Sequence, residues 1–178
     1  MTKPKRLART VIYENPWVNL YVDKVAFPGG RIIEQHHILE FDKQAVAVLV
    51  ENEQGHLLFV EAYRYPTDSI EWEIPAGGVD PNESILATAQ REVQEETGYA
   101  SVDHTLVYTF NPLNGMSNKV FHIVRCRATT HNGVFDQNEV RSYRWFARQE
   151  IEQMLRDQVI HDGFTLVGLL FYLGQAYE

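Results

Sequence analysis

The amino-acid sequence predicts an α/β (α+β) fold: a mixed sheet with helices on its faces, preceded by an N-terminal extension of β-strands. Three observations carry that expectation. The runs 45–50 (AVAVLV) and 57–60 (LLFV) are continuously apolar and rich in branched side chains, as in strands covered on both faces. Residues 84–97 repeat apolar side chains at the helical period, with strand-like segments on either side. Two further helix-like segments, 148–156 and 164–176, close the chain. A length of 178 residues suits one domain with its own core and a small appended element.

In chain order, residues 10–39 read as short strands with a turn at Pro28-Gly29-Gly30. The expected division is therefore a strand extension over 1–40 and the main domain over 41–178. Glu51-Asn52-Glu53-Gln54-Gly55 is a turn that makes 45–50 and 57–60 a hairpin. Residues 63–74 approach Pro75 as strand or loop. The helix begins after Pro81-Asn82-Glu83 and stops at Gly98, a residue suited to the left-handed cap. Ile85, Leu86, Ala89 and Val93 share one stripe, and Glu92, Glu95 and Glu96 lie beside it within an arc of roughly 100°. Further strands are expected at 105–110, 120–127 and 140–146, separated by turn-rich loops at 111–118 and 131–138.

A formal charge of −8 argues against a nucleic-acid partner, which needs a basic stripe. An anionic substrate would need local arginines or metal ions to offset that field. The single cysteine, Cys126, lies in an apolar run and reads as a buried packing residue. The basic start MTKPKRLART lacks the apolar stretch of a secretory signal, and no run is long enough to cross a bilayer. The expectation is a cytoplasmic protein without a membrane partner. The seven histidines are scattered, with His36-His37 in a strand and no zinc spacing.

The chemistry lies in 77–99, GGVDPNESILATAQREVQEETGY. Like charges at helical spacing destabilise a helix unless positive charge sits among them. Glu92 and Glu96 are i,i+4 neighbours, and Glu92 and Glu95 are i,i+3, so their carboxylates can converge. Oxygen donors of this kind suit Mg²⁺ or Mn²⁺, and such an ion neutralises a pyrophosphate and lowers the pKa of bound water. A merely solvated acidic face is the competing reading. The glycine loop, Arg91 and the two spacings together argue against it.

Gly77, Glu83 and the run Arg91-Glu92-Val93-Gln94-Glu95-Glu96-Thr97-Gly98-Tyr99 resemble the Nudix box of the Nudix hydrolases, with Tyr99 where the family usually has an aliphatic residue. The resemblance implies a Nudix α/β/α sandwich. It implies Glu92, Glu95 and Glu96 as metal ligands, with the carbonyl of Ala76 as a further one. Arg91 would orient a glutamate, and Glu83 would brace the loop. Asn82 stands where related boxes often have glycine, and tolerates a left-handed backbone. Upstream, residues 61–65 and 71–77 resemble the ADP-ribose pyrophosphatase branch, which implies Arg64 and Glu73 in the substrate cleft. An arginine can hold phosphate through paired donors, and a glutamate can accept from ribose hydroxyls; a surface ion pair and a loop hydrogen bond are the rival readings. Downstream, Asn111-Pro112-Leu113-Asn114-Gly115-Met116-Ser117 resembles that branch's Ser-Pro-Gly-like loop with the proline early, making Gly115 and Ser117 substrate-binding candidates. Two residues compete as general base: Glu139, from a late loop, and Glu95. Trp17, Tyr21 and Tyr65 offer flat faces for a nucleobase, against a core or interface role.

The resemblance implies Mg²⁺-dependent hydrolysis of the pyrophosphate of a nucleoside diphosphate sugar, ADP-ribose to AMP and ribose 5-phosphate first. GDP-mannose, another nucleotide sugar or a dinucleotide is the enzymatic alternative, and a nucleotide-sensing module without turnover is the other. The N-terminal strands resemble the exchanged arm that pairs subunits in this branch, implying a homodimer.

Overall fold

The strands sort into two sheets in the computed structural model, which describes residues 3–174, and only the β-strands at 45–51 and 57–64 are covered along most of their length. The chain divides into two compact units: residues up to Gln44 with Asn111–Val120, and Ala45–Phe110 with the remainder from Phe121.

The first unit is a three-stranded antiparallel sheet in the order β1 (Lys5–Tyr13), β2 (Asn19–Ala26), β3 (Ile32–Glu40). These are full-length strands, beginning earlier than expected from the sequence. Strict alternation is confined to the central strand β2, where Tyr21, Asp23 and Val25 are buried. Asp23 is tolerated there because Arg9 of β1 pairs with it at 2.8 Å and reaches Glu40 at 3.0 Å. On β1 almost every residue is exposed, including Leu7, Val11, Ile12 and Tyr13. His36 and His37 lie in β3, as expected. The 111–120 loop is tied to β3 by the Leu39 amide on the Met116 carbonyl (2.8 Å).

The second unit is a mixed seven-stranded sheet. Its strands are β4 (Ala45–Glu51), β5 (Leu57–Arg64), β6 (Ser69–Glu73), β7 (Ala76–Gly78), β8 (Tyr99–Phe110), β9 (Phe121–His131) and β10 (Ser142–Phe146). The order is β10-β5-β4-β9-β8, with β6 on β5 and β7 on β4. The expected hairpin of β4 and β5 meets only at Glu51 and Leu57, because β7 takes the β4 edge and β6 and β10 take β5. On its other side β4 runs parallel to β9. The short β7 carries no sequence pattern of its own. β8 starts well before residue 105, and three register shifts hide its alternation.

Helix α1 (Ile85–Thr97) covers one face of this sheet, and α2 (Arg148–Arg156) and α3 (Gly163–Gly174) cover the other. The alternation of β4 divides its side chains between the two layers. Val46, Val48 and Val50 pack with Ala89 and Val93 of α1, while Ala47 and Leu49 pack with Ile151 of α2 and Leu169 of α3. Cys126 is buried on the α1 side, where desolvation pushes its thiol up to about 12. Ser84 caps α1 by accepting from the Ala87 amide (3.2 Å), and Gly98 ends it at φ 71°. Leu86 departs from the expected stripe: it is exposed, and Thr88 and Thr97 complete the buried face. The expected end of α3 at residue 176 lies outside the described residues. Among those described, no helix is long and apolar enough to cross a membrane.

Candidate active site

The site forms where the loop after Pro75 crosses the covered edge of α1. The Ala76 amide donates to Glu96 Oε2 at 3.0 Å. Close approach is possible because the next residue is glycine: a Cβ at Gly77 would land on the Glu92 carboxylate. Farther along the loop, Asn82 takes φ 69°, the left-handed conformation that asparagine tolerates.

Arg91 gathers the acidic side chains around one guanidinium. Nε lies 3.1 Å from Glu83 Oε1, and Nη2 donates to Glu83 Oε2 and the Gly78 carbonyl, each at 3.0 Å. Nη1 donates to Glu92 Oε1 (2.8 Å) and Glu95 Oε2 (2.9 Å). Glu83 also accepts from Thr88 Oγ1 at 2.8 Å. These partners, Arg91 above all, hold the Glu83 carboxyl down at about 2.

The three glutamates of the helix separate by environment. Glu95 is half exposed. Glu92 is 7% exposed and Glu96 5%. Burial pushes the Glu92 carboxyl up and Glu96 well up, against the opposing pull of Arg91 and the Ala76 amide respectively. The charge of Glu139 adds to the upward push on each. Its loop is fastened to α1: the Asn132 amide donates to the Gly98 carbonyl (3.0 Å) and the Asp136 amide to the Glu95 carbonyl (2.8 Å).

Among the described residues, no three His, Cys, Asp or Glu side chains form a ready-made metal cage. Arg91 draws Glu92 and Glu95 onto itself, and the Ala76 amide holds one Glu96 oxygen. The donor set nonetheless fits a hard divalent cation. Two desolvated carboxylates beside a single arginine need more positive charge to stay ionised. Mg²⁺ is commonly held by only one or two carboxylates, with water and substrate phosphate completing the shell.

Beside this corner, β5 and β6 bring Arg64 and Glu73 together. Arg64 Nε donates to Glu73 Oε1 at 2.8 Å and Nη2 donates to Oε2, a two-point contact. Glu73 is buried at 3% exposure, whereas the Arg64 side chain is half exposed. The Arg64 charge reaches Glu96, opposing a small part of the upward push that burial gives its carboxyl. Arg64 and Glu73 line a cleft of about 280 Å³ with Pro66, Thr67, Glu71, His161 and Asp162. Glu71 begins the 71–77 segment but the resemblance implies no role for it, and His161, an isolated histidine outside any motif, carries no signal in the sequence.

Other candidates are placed differently. Gly115 and Ser117 belong to the first unit, where Ser117 Oγ accepts from the Lys119 amide at 3.0 Å. Tyr21 is a core residue, its ring under the Arg9 guanidinium at 4.0 Å and its hydroxyl donating to Glu14. Trp17 and Tyr65 are highly exposed. Tyr99 stands at the unusual aromatic position because it stacks on His131 (4.3 Å between centroids) and accepts from Trp145 Nε1 at 3.1 Å.

Comparison with known proteins agrees with this geometry. The NUDIX domain family matches residues 42–166, and the nucleoside diphosphate sugar hydrolase N-terminal domain matches residues 4–39. A CMP-5'-(N-acetyl-N-hydroxy-3-aminopropyl)phosphonate hydrolase of Streptomyces rubellomurinus is 31% identical over 92% of this chain and 79% of its own length. An ADP-ribose pyrophosphatase of Bacillus subtilis is 31% identical over 67% of this chain and 63% of its own length. The crystal structure of an ADP compounds hydrolase superposes with a TM-score of 0.84 over 98% of this chain and 94% of that one, at 18% identity, a likeness of fold. The arginine-centred glutamates and the strands ahead of them are thus explained by one ancestry: the chain belongs to the Nudix family and is a Nudix pyrophosphatase.

Proposed function

We propose that this enzyme hydrolyses the pyrophosphate bond of a nucleoside diphosphate sugar with Mg²⁺, ADP-ribose being the first candidate and AMP and ribose 5-phosphate its products. The observation that carries this reading is the pair of buried glutamates, Glu92 and Glu96, with the Arg64–Glu73 cleft beside them. Glu92 and Glu96, with Glu95 and the Ala76 carbonyl, would hold Mg²⁺, or Mn²⁺ in its place. The ion supplies charge neutralisation and an acidified water. Arg91 orients Glu92 and Glu95 while Glu83 holds Arg91. Arg64, fixed by Glu73, offers its remaining Nη1 donors to a substrate phosphate. Glu139 takes the proton of the attacking water. Glu95 is the rival base, but its carboxylate is engaged by Arg91. Gly115 and Ser117 are carried as substrate-binding residues on the resemblance of their loop alone.

Residues 1–40 form the arm and 41–178 the catalytic domain of a cytoplasmic homodimer. The exposed apolar side chains of β1 support that pairing, because an edge strand of this kind invites a second chain. The name of the Streptomyces relative favours a second reading, a CMP-linked phosphonate as substrate. A panel of ADP-ribose, GDP-mannose, UDP-glucose, a CMP-linked phosphonate, dinucleoside polyphosphates and NADH with Mg²⁺ separates these. The highest kcat/KM is expected for ADP-ribose; preference for the phosphonate supports the second reading, and no turnover of any removes both.

A further inference from the structure

The cleft beside the glutamates has more polar groups than the residues assigned so far. Its acids each have a partner. Both Glu73 oxygens accept from Arg64, and Asp162 Oδ2 accepts from the amide (2.7 Å) and hydroxyl (2.8 Å) of Thr165 at the start of α3. Glu71, with its side chain 12% exposed, faces His161 Nδ1 at 3.2 Å through Oε1 and 3.1 Å through Oε2. A carboxylate only accepts, so the contact places the proton on Nδ1 and leaves Nε2 of the neutral ring as an acceptor. Among the described residues, Nε2 of His161 and Nη1 of Arg64 have no hydrogen-bond partner, and both residues line the cleft. One is an acceptor and the other a donor.

This changes which residue can read a sugar hydroxyl. Glu73 is buried with each oxygen already accepting from Arg64, whereas His161 is exposed at the cleft. We propose that His161 is a substrate-contacting specificity residue, its Nε2 accepting a hydrogen bond from a sugar hydroxyl while Arg64 Nη1 donates to an adjacent phosphate or hydroxyl oxygen. Glu71 is the positioning residue, holding the ring in the tautomer that accepts. The inference rests on the nucleoside diphosphate sugar reading above and extends it with a contact outside the hydrolytic machinery.

The test uses steady-state kinetics of the full-length wild type, H161A and Glu71→Ala. Substrates are the best nucleoside diphosphate sugar and two sets of deoxy analogues, one lacking hydroxyls on the nucleoside ribose and one lacking them on the terminal sugar. H161A is expected to raise KM roughly tenfold for the parent substrate, the worth of one hydrogen bond with its desolvation, with kcat little changed. Against the analogue lacking the contacted hydroxyl, H161A and wild type converge, which also says which sugar is read. Glu71→Ala shifts KM in the same direction by less. An unchanged KM in H161A overturns the contact, as does an equal loss on every analogue, which would mark a structural role. His161 is 68% exposed, so folding is not at issue. A wild type inert on every nucleoside diphosphate sugar removes the function first and this contact with it.

Discussion

Arg91 offsets two of the three like charges that share little more than one helical turn. It is bonded to Glu83, Glu92 and Glu95 at once, so α1 keeps its fold while Glu92 stays oriented. Glu83, its carboxyl held at about 2 against an ordinary value of 4.5, stabilises the protein above pH 4.5. A depressed carboxyl means the unfolded chain binds protons more readily, so that contribution is lost as pH falls from 4.5 towards 2. E83Q should therefore lower stability at pH 7 and flatten the acid limb between those values, as measured by urea unfolding across pH. Arg64 and Glu73 predict an asymmetry. R64A strands a buried carboxylate and should cost about 1–3 kcal/mol of stability, whereas E73Q leaves only a half-exposed guanidinium and should mainly raise KM. A calorimetric Tm for each variant, beside its KM, checks this. The spacing of the glutamates was legible in the sequence because a helix obliges i,i+4 side chains to meet. That Glu95 stays half exposed while its neighbours are buried was not, since it depends on where β7 lies.

At the scale of the element, loop and helix operate as a pair. Gly77 has no room for a Cβ against Glu92, so G77A should displace that carboxylate and reduce kcat by about tenfold or more, a loss of roughly 1.4 kcal/mol in the barrier. Removing the helix cap with Ser84→Ala should cost about 1 kcal/mol of stability with kcat nearly preserved. Comparing the two in parallel separates site geometry from helix stability. The same pairing explains what the sequence conveyed. Capped, strongly periodic α1 and the covered strands β4 and β5 were readable from local pattern. β7 and the bulged start of β8 were not, because their conformations come from pairing with β4 and β9 rather than from alternation of their own residues. The loop bearing Glu139 is polar and aperiodic, and its attachment to α1 runs through backbone amides that no side-chain pattern records.

On the scale of the whole molecule, a chain of net charge −8 attracts an anionic substrate only through local positive charge, which Arg64 and a bound divalent cation would supply. The exposed apolar face of β1 predicts association. Sedimentation should give a dimer for the wild type, and substitution of both Val11 and Ile12 by lysine should give a monomer without unfolding, since both are exposed. A monomeric wild type at micromolar concentration would contradict it. The most direct test of the central claim sets wild type and E96Q side by side with saturating Mg²⁺ and ADP-ribose, following AMP release. Glutamine preserves the shape and the acceptor for the Ala76 amide but removes the buried charge. The wild type should release AMP and ribose 5-phosphate, and E96Q should do so with a kcat at least ~100-fold lower, about 2.7 kcal/mol of lost transition-state stabilisation. A folded E96Q turning over at near wild-type rate would contradict it.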